Sequence, residues 1–211
     1  MTMKKFLIIF LTFLTSHTFA STAYDLYMSG NKAEGINKWQ ELATNGDSAA
    51  KYSLGILYND AAPLGLCEIQ DFCVFKKFSN YRKAKSIFEE LYDIEGDPRA
   101  AYSLGEFYDD HPLIISNYKK AARLYLYAAE RGVPEAQYNI ANMYERGDGV
   151  RKDLVQSVRW YLQCNVSSLC KAGQEGIDDL INQLSYDEFE YAKSLIDYSM
   201  KEMDIRITVG R

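Results

Sequence analysis

The stretch Ala136-Gln-Tyr138-Asn-Ile140-Ala141-Asn-Met-Tyr144 decides the fold, because it has copies elsewhere in the chain. The same pattern reads Ala50-Lys-Tyr52-Ser-Leu54-Gly55-Ile-Leu-Tyr58 and Ala100-Ala-Tyr102-Ser-Leu104-Gly105-Glu-Phe-Tyr108. A degenerate copy runs Ala172-Gly-Gln174-Glu-Gly176-Ile177-Asp-Asp-Leu180. Starts at residues 50, 100, 136 and 172 give offsets of 50, 36 and 36. Within a copy, positions 0, +4 and +8 place Ala, Leu and Tyr on one helical face. The small residue at +5 lets a neighbouring helix come close.

A second helical pattern follows each copy. Ala121, Leu124, Tyr125, Ala128 and Ala129 keep helical spacing and end at Gly132. Ser157, Trp160, Tyr161 and Cys164 take the same slots one unit later, and Ala33, Ile36, Trp39 and Ala43 form an earlier version ending at Gly46. Ala84, Ile87, Phe88 and Leu91 form another, shifted by one residue, ending near Gly96. Gly46, Gly96 and Gly132 stand where a helix end favours positive φ. Pro98 and Pro134 then open the next helix, where a missing N–H costs nothing.

The repeating unit is therefore helix–turn–helix, helix A then helix B, at a period typical of α-solenoids. One unit cannot bury its apolar face alone, so neighbours must stack. The expected fold is all-α, a right-handed α/α solenoid of about four units. The expected domain plan is a signal peptide over 1–20 and a solenoid over 21–211. Its approximate units are 24–46, 48–96, 98–132 and 134–168, with closing helices in 170–203. The larger first offset marks an insertion within 59–80 that carries Cys67 and Cys73.

The loop Tyr144-Glu-Arg-Gly147-Asp-Gly149-Val150-Arg-Lys-Asp153, followed by Ser157-Val-Arg-Trp160-Tyr161, resembles the Sel-one-like repeat. Ala141 and Ser157 depart from that family's Gly and Ala. The preceding unit lacks the Gly-x-Gly-Val loop and has Asp109-Asp110-His111-Pro112 instead. The resemblance spans about residues 32–185. It implies a curved, tetratricopeptide-like superhelix that binds other proteins. For exported bacterial members it implies adaptors in signalling, envelope homeostasis, host interaction or toxin neutralisation. Cysteine-rich relatives are implied to carry disulfides between neighbouring helices, and some to be penicillin-binding or β-lactamase-like. Cys164 takes the slot of Ala128 and Cys170 opens the next helix A, so a bridge there would staple two helices across their turn.

The amino terminus predicts export. Lys4 and Lys5 precede an apolar run from Phe6 to Leu14, and Thr18-Phe19-Ala20 offers a small-residue cleavage site. That run is too short for a comfortable span, so the mature chain is expected to be periplasmic or secreted, without a stable membrane anchor. All four Cys lie beyond it, in two pairs of equal spacing. In an oxidising compartment an even number of Cys reads as disulfides, and proximity favours Cys67–Cys73 with Cys164–Cys170. The spacing is not that of zinc ligands.

The chain has 211 residues and a formal net charge of −5, which argues against nucleic acid as a partner. Ser-x-x-Lys occurs at Ser29/Lys32, Ser48/Lys51, Ser116/Lys119 and Ser168/Lys171, but the partner motifs of an acyl-transfer site are absent from the sequence. Each of these serines falls where a helix cap is expected. Asp109-Asp110-His111 lacks a third spaced metal ligand. No catalytic residue, metal or cofactor is expected, and the chain reads as a non-enzyme.

Binding is expected on a concave groove lined by helix A. Equivalent positions in the three full copies give Tyr52, Ile56 and Asn59; Tyr102, Glu106 and Asp109; and Tyr138, Asn142 and Glu145. Their variation suits a specific surface, and tyrosine suits interfaces. Tyr58, Tyr108 and Tyr144 are expected in the core, and Trp39, Phe88, Tyr125, Trp160 and Tyr161 in packing on helix B. The tyrosines at +2 either line the groove or pack on the next unit; spacing alone leaves both open. The acidic members point to a protein partner with a basic patch. The sharpest expectation is a small immunity protein or inhibitor against a secreted antibacterial toxin, with an envelope-signalling or virulence adaptor, or a scaffold, as alternatives. An enzyme of the penicillin-binding sort is the remaining one.

Overall fold

The computed structural model describes residues 22–60, 77–110, 115–166, 170 and 172–196. The signal-peptide expectation, Cys67 and Cys73, His111, Ser168, Lys171 and the tail after residue 196 lie outside them. The helices are α1 (22–28), α2 (Lys32–Thr44), α3 (Ser48–Asp60), α4 (Lys77–Glu95), α5 (Pro98–Asp109), α6 (Tyr118–Ala129), α7 (Pro134–Arg146), α8 (Leu154–Val166), α9 (Ala172–Leu180) and α10 (Tyr186–Ser194). A 3-10 turn, Ile181–Gln183, links the last two. No strand occurs among the described residues, so the all-α expectation holds. Sequence neighbours pack as helix pairs: α2 with α3, α5 with α6, α6 with α7, α7 with α8, and α8 with α9. None of the described helices is long and apolar enough to cross a membrane.

The chain divides into two compact units, one through Leu91 and one from Tyr92. In the first, Gly35 brings α2 onto α1: a Cβ there would lie 2.7 Å from the Ala23 carbonyl oxygen. The Tyr27 ring then rests 5.2 Å from that of buried Trp39. Gly46 turns the chain at φ +90°, and Asp47 caps α3 by accepting from the Ala50 N–H at 2.8 Å. Ala50, Leu54, Leu57 and Tyr58 form the buried face of α3. Against them lies fully buried Phe88 of α4, in the space left by Gly55.

In the second unit the same rules repeat more fully. Gly96 and Gly132 end their helices at positive φ, and Pro98 and Pro134 begin the next ones. Asp97 caps α5 through the Arg99 N–H at 2.8 Å. Gln137 caps across a turn, its buried amide donating to the Ala129 carbonyl at the end of α6. Ala100, Leu104 and Phe107 of α5 and Ala136, Ile140 and Met143 of α7 are buried. Their facing residues are Ala121, Leu124, Tyr125 and Ala128 on α6, then Trp160, Tyr161 and Cys164 on α8. Each large side chain so buried contributes about 1.5–3 kcal/mol relative to exposure. The second buried aromatic or aliphatic of helix A is thus at +7 (Leu57, Phe107, Met143). Tyr108 and Tyr144 at +8, expected in the core, are only half-buried. Lys120 lies over the Tyr108 ring at 4.1 Å.

Equal loop lengths close the two A–B turns alike. The Asn117 N–H donates to the Tyr108 carbonyl, and the Asp153 N–H to that of Tyr144. Each of these residues then caps its helix, Asn117 through the Lys120 N–H and Asp153 through the Gln156 N–H. Gly149, at φ +69°, touches the previous helix B so closely that a Cβ would collide with the Tyr118 carbonyl. That contact, not the turn alone, is what the Gly-x-Gly loop serves.

Cys164 and Cys170 are bonded as expected, with Cα atoms 5.4 Å apart, and staple α8 to the start of α9. Their sulfurs lie 3.4 and 3.9 Å from the Pro134 carbonyl oxygen, one unit back. After α9, α10 packs on α8, and Arg159 donates to the Leu195 carbonyl at its end at 3.4 Å. Ser185 and Glu188 form a capping box at its start.

Candidate functional site

Helix A presents a line of side chains at +2, +6 and +9, and each unit positions its own. On α3, the Tyr52 ring leans on Phe88 at 5.6 Å and is half-buried. Ile56 beside it is half-buried and Asn59 exposed. On α5, Tyr102 leans on Tyr125 at 6.0 Å; on α7, Tyr138 leans on Tyr161 at 5.6 Å. The tyrosines at +2 therefore pack on the helix-B aromatic that follows their own helix A, with part of each ring at the surface. The ring packing seen is thus within their own unit, where spacing offers the next unit or the groove.

Polar atoms on this face are held by tyrosine hydroxyls. Tyr102 donates to Glu106 at 2.7 Å. The Tyr125 hydroxyl donates to Asp109 at 3.3 Å. The Tyr161 hydroxyl lies 3.0 Å from both Glu145 Oε2 and Asn142 Oδ1, with one proton to give. Asn142 in turn donates to the Tyr138 carbonyl. All six expected residues of α5 and α7 thus join two small clusters, each centred on a buried ring. Sequence reading missed Tyr125 and Tyr161 as part of this surface, having assigned them to packing alone. The available signal was an aromatic slot that is Phe88 once and Tyr twice, with a carboxylate at +6 or +9 only where it is Tyr.

Burial pushes the Asp109 carboxyl above its usual range; the Tyr125 hydroxyl opposes this, and Asp110 and Asp148 add to it. Burial likewise raises the Tyr125 and Tyr161 phenols, so both stay protonated donors at neutral pH. The arrangement can offer carboxylates and aromatic edges to a partner.

Of the Ser-x-x-Lys serines, those at 29, 48 and 116 lie among the described residues and sit at turns and helix starts. The Ser29 hydroxyl donates to the Leu26 carbonyl. The caps expected of Ser48 and Ser116 are made instead by their neighbours Asp47 and Asn117, whose side chains reach the free N–H groups. Among the described residues, no group of three or more His, Cys, Asp or Glu is placed to hold a metal ion.

Two tandem matches to the Sel1 repeat cover residues 98–133 and 134–163. An exopolysaccharide production negative regulator of Rhizobium leguminosarum bv. viciae is 26% identical over 177 residues, covering 82% of this chain and 62% of its own. An ERAD-associated E3 ubiquitin-protein ligase component of Arabidopsis thaliana is 32% identical over 140 residues, covering 66% of this chain and 20% of its own. The chain thus spans less than two thirds of the length of these relatives. A protective antigen of uropathogenic Escherichia coli that displays an SLR fold superposes with a TM-score of 0.53 at 18% identity, over 90% of this chain and 45% of that one. Sel1 repeats serve protein–protein interaction. With two matched repeats, a further copy of their helix-A pattern at residues 50–58 and the same fold in a solved SLR structure, this chain is a Sel1-like repeat protein.

Proposed function

We propose that this chain is a non-catalytic, exported adaptor that grips one protein partner through its exposed helix-A face. The observation that carries the reading is the set of carboxylates on α5 and α7 fixed by tyrosine hydroxyls beside half-buried rings. Preorganised side chains lose little entropy on binding, and tyrosines add contact area. Fixed carboxylates select a partner that offers lysine or arginine, and speed encounter with it. The partner class is a protein with a basic patch.

The test is binding by the purified chain, with Glu106→Gln, Asp109→Asn and Glu145→Gln introduced singly and together. A basic partner is expected to bind the triple variant at least tenfold more weakly, with a shallower dependence on salt. Unchanged binding would remove this face from the reading. Hydrolysis of a fluorescent penicillin, or covalent labelling by it, would overturn the non-catalytic part.

The named function of the rhizobial relative favours a regulatory role over a purely structural one. Deletion in the native host is then expected to change envelope polysaccharide output, and no change would remove this role. The narrower expectation, neutralisation of a secreted toxin, uses the same face. Its test is rescue of cells expressing the product of the adjoining gene. Absence of both rescue and binding removes it.

A further inference from the structure

We propose that Tyr125 and Tyr161 are positioning residues for the binding face, their buried rings serving the core while their hydroxyls fix the acidic chemistry outside. The inference rests on the adaptor reading above and names how its surface is set. Packing does not require the hydroxyls. Phe88 fills the equivalent slot completely buried, against Gly55, where a Cβ would lie 2.5 Å from its ring. Tyr125 fills its slot at the same 2.5 Å from a Cβ on Gly105, and is 1% exposed. The core contact is the same with and without the oxygen.

What differs is the surface above each ring. Over Phe88 the positions at +6 and +9 are Ile56 and Asn59. Over Tyr125 they are Glu106 and Asp109, and over Tyr161 they are Asn142 and Glu145. Each tyrosine hydroxyl ends within hydrogen-bond reach of the carboxylate at +9. A ring held in the core cannot swing its hydroxyl away, so the carboxylate gains a fixed donor. One atom on a core residue thereby converts a mobile surface acid into an aimed one. The α5 and α7 faces are the charge-reading part of the proposed surface.

The test uses the full chain with Tyr161→Phe, Tyr125→Phe, Glu145→Gln and the double variant Tyr161→Phe/Glu145→Gln. The probe is a fluorescent deca-lysine peptide, read by anisotropy at two salt concentrations. Thermal melts by circular dichroism confirm the fold, and Phe88 shows that phenylalanine fits the slot. Tyr161→Phe is expected to weaken binding several-fold, about as much as Glu145→Gln, and the double variant little further. Carbon NMR is expected to show the Asp109 carboxyl titrating higher once the Tyr125 hydroxyl is gone, since that hydrogen bond lowers it. If Glu145→Gln weakens binding while both phenylalanine variants bind as wild type, the positioning role is overturned and the surface reading stands. Full additivity in the double variant overturns it equally. If Glu145→Gln itself changes nothing, the surface reading fails instead, and the NMR titration still decides whether the hydroxyl governs the carboxylate.

Discussion

The ring of Tyr161 occupies the space in which Gly176 has no side chain: a Cβ on Gly176 would lie 2.5 Å from Tyr161 Cζ. The ring cannot retreat. Tyr138 leans on it from α7, and its hydroxyl is held at Glu145 and Asn142. Gly176→Ala is therefore expected to destabilise the chain by about 1–3 kcal/mol, the cost of overpacking, despite alanine's better helix propensity. A urea midpoint lower than wild type with an unchanged slope checks this. A midpoint at or above wild type would show that α9 shifts freely.

Ser157 stands where the preceding repeat has Ala121, and its buried hydroxyl finds no partner among the described residues. A buried hydroxyl left unpaired is costly, and alanine also favours the helix. Ser157→Ala is expected to stabilise the chain by about 1 kcal/mol, seen as a raised melting temperature. A lowered one would mean that the hydroxyl is satisfied after all.

The Cys164–Cys170 bond closes a short loop of sequence separation 6, and both residues are buried. Loop-closure entropy then gives about 2 kcal/mol. Replacing both by alanine should lower stability by that order and leave the helix content intact. Alkylation of the denatured chain without reductant should leave this pair unmodified. Two alkylated positions there would refute the bond.

Much of this architecture was legible because a repeat states its rules several times. Gly96 and Gly132 before Pro98 and Pro134 mark turns by backbone chemistry that neighbours cannot override. The pairing of Cys164 with Cys170 was legible because one turn separates them. Assigning Tyr108 and Tyr144 to the core failed for a physical reason. A residue at +8 and one at +7 differ by one helical step, and only the neighbouring helix decides which points inward. Phe107 and Met143 won that contest. The role of Tyr125 and Tyr161 at the surface was hidden because hydrophobic patterning counts a tyrosine as a ring. Where its hydroxyl emerges depends on the packing distance set by Gly105 for Tyr125 and by α7 for Tyr161.

Asp109 supplies the pH dependence. Its folded-state pKa lies above the unfolded value because burial disfavours the charge. The folded state therefore holds this proton more tightly, and its contribution to stability is present at low pH and lost as pH rises through the folded pKa. Asp109→Asn should raise the melting temperature at neutral pH, since the amide oxygen can still accept from Tyr125 without carrying a charge. The gain should shrink as pH falls through the carboxylate range. Phenols act at the other end. Tyr125 and Tyr161 are raised by burial, so the unfolded chain ionises first and stability falls as pH climbs past about 10. Melting curves of wild type and Asp109→Asn across both ranges check the two signs together. An Asp109→Asn gain that grows on acidification would reverse the assignment.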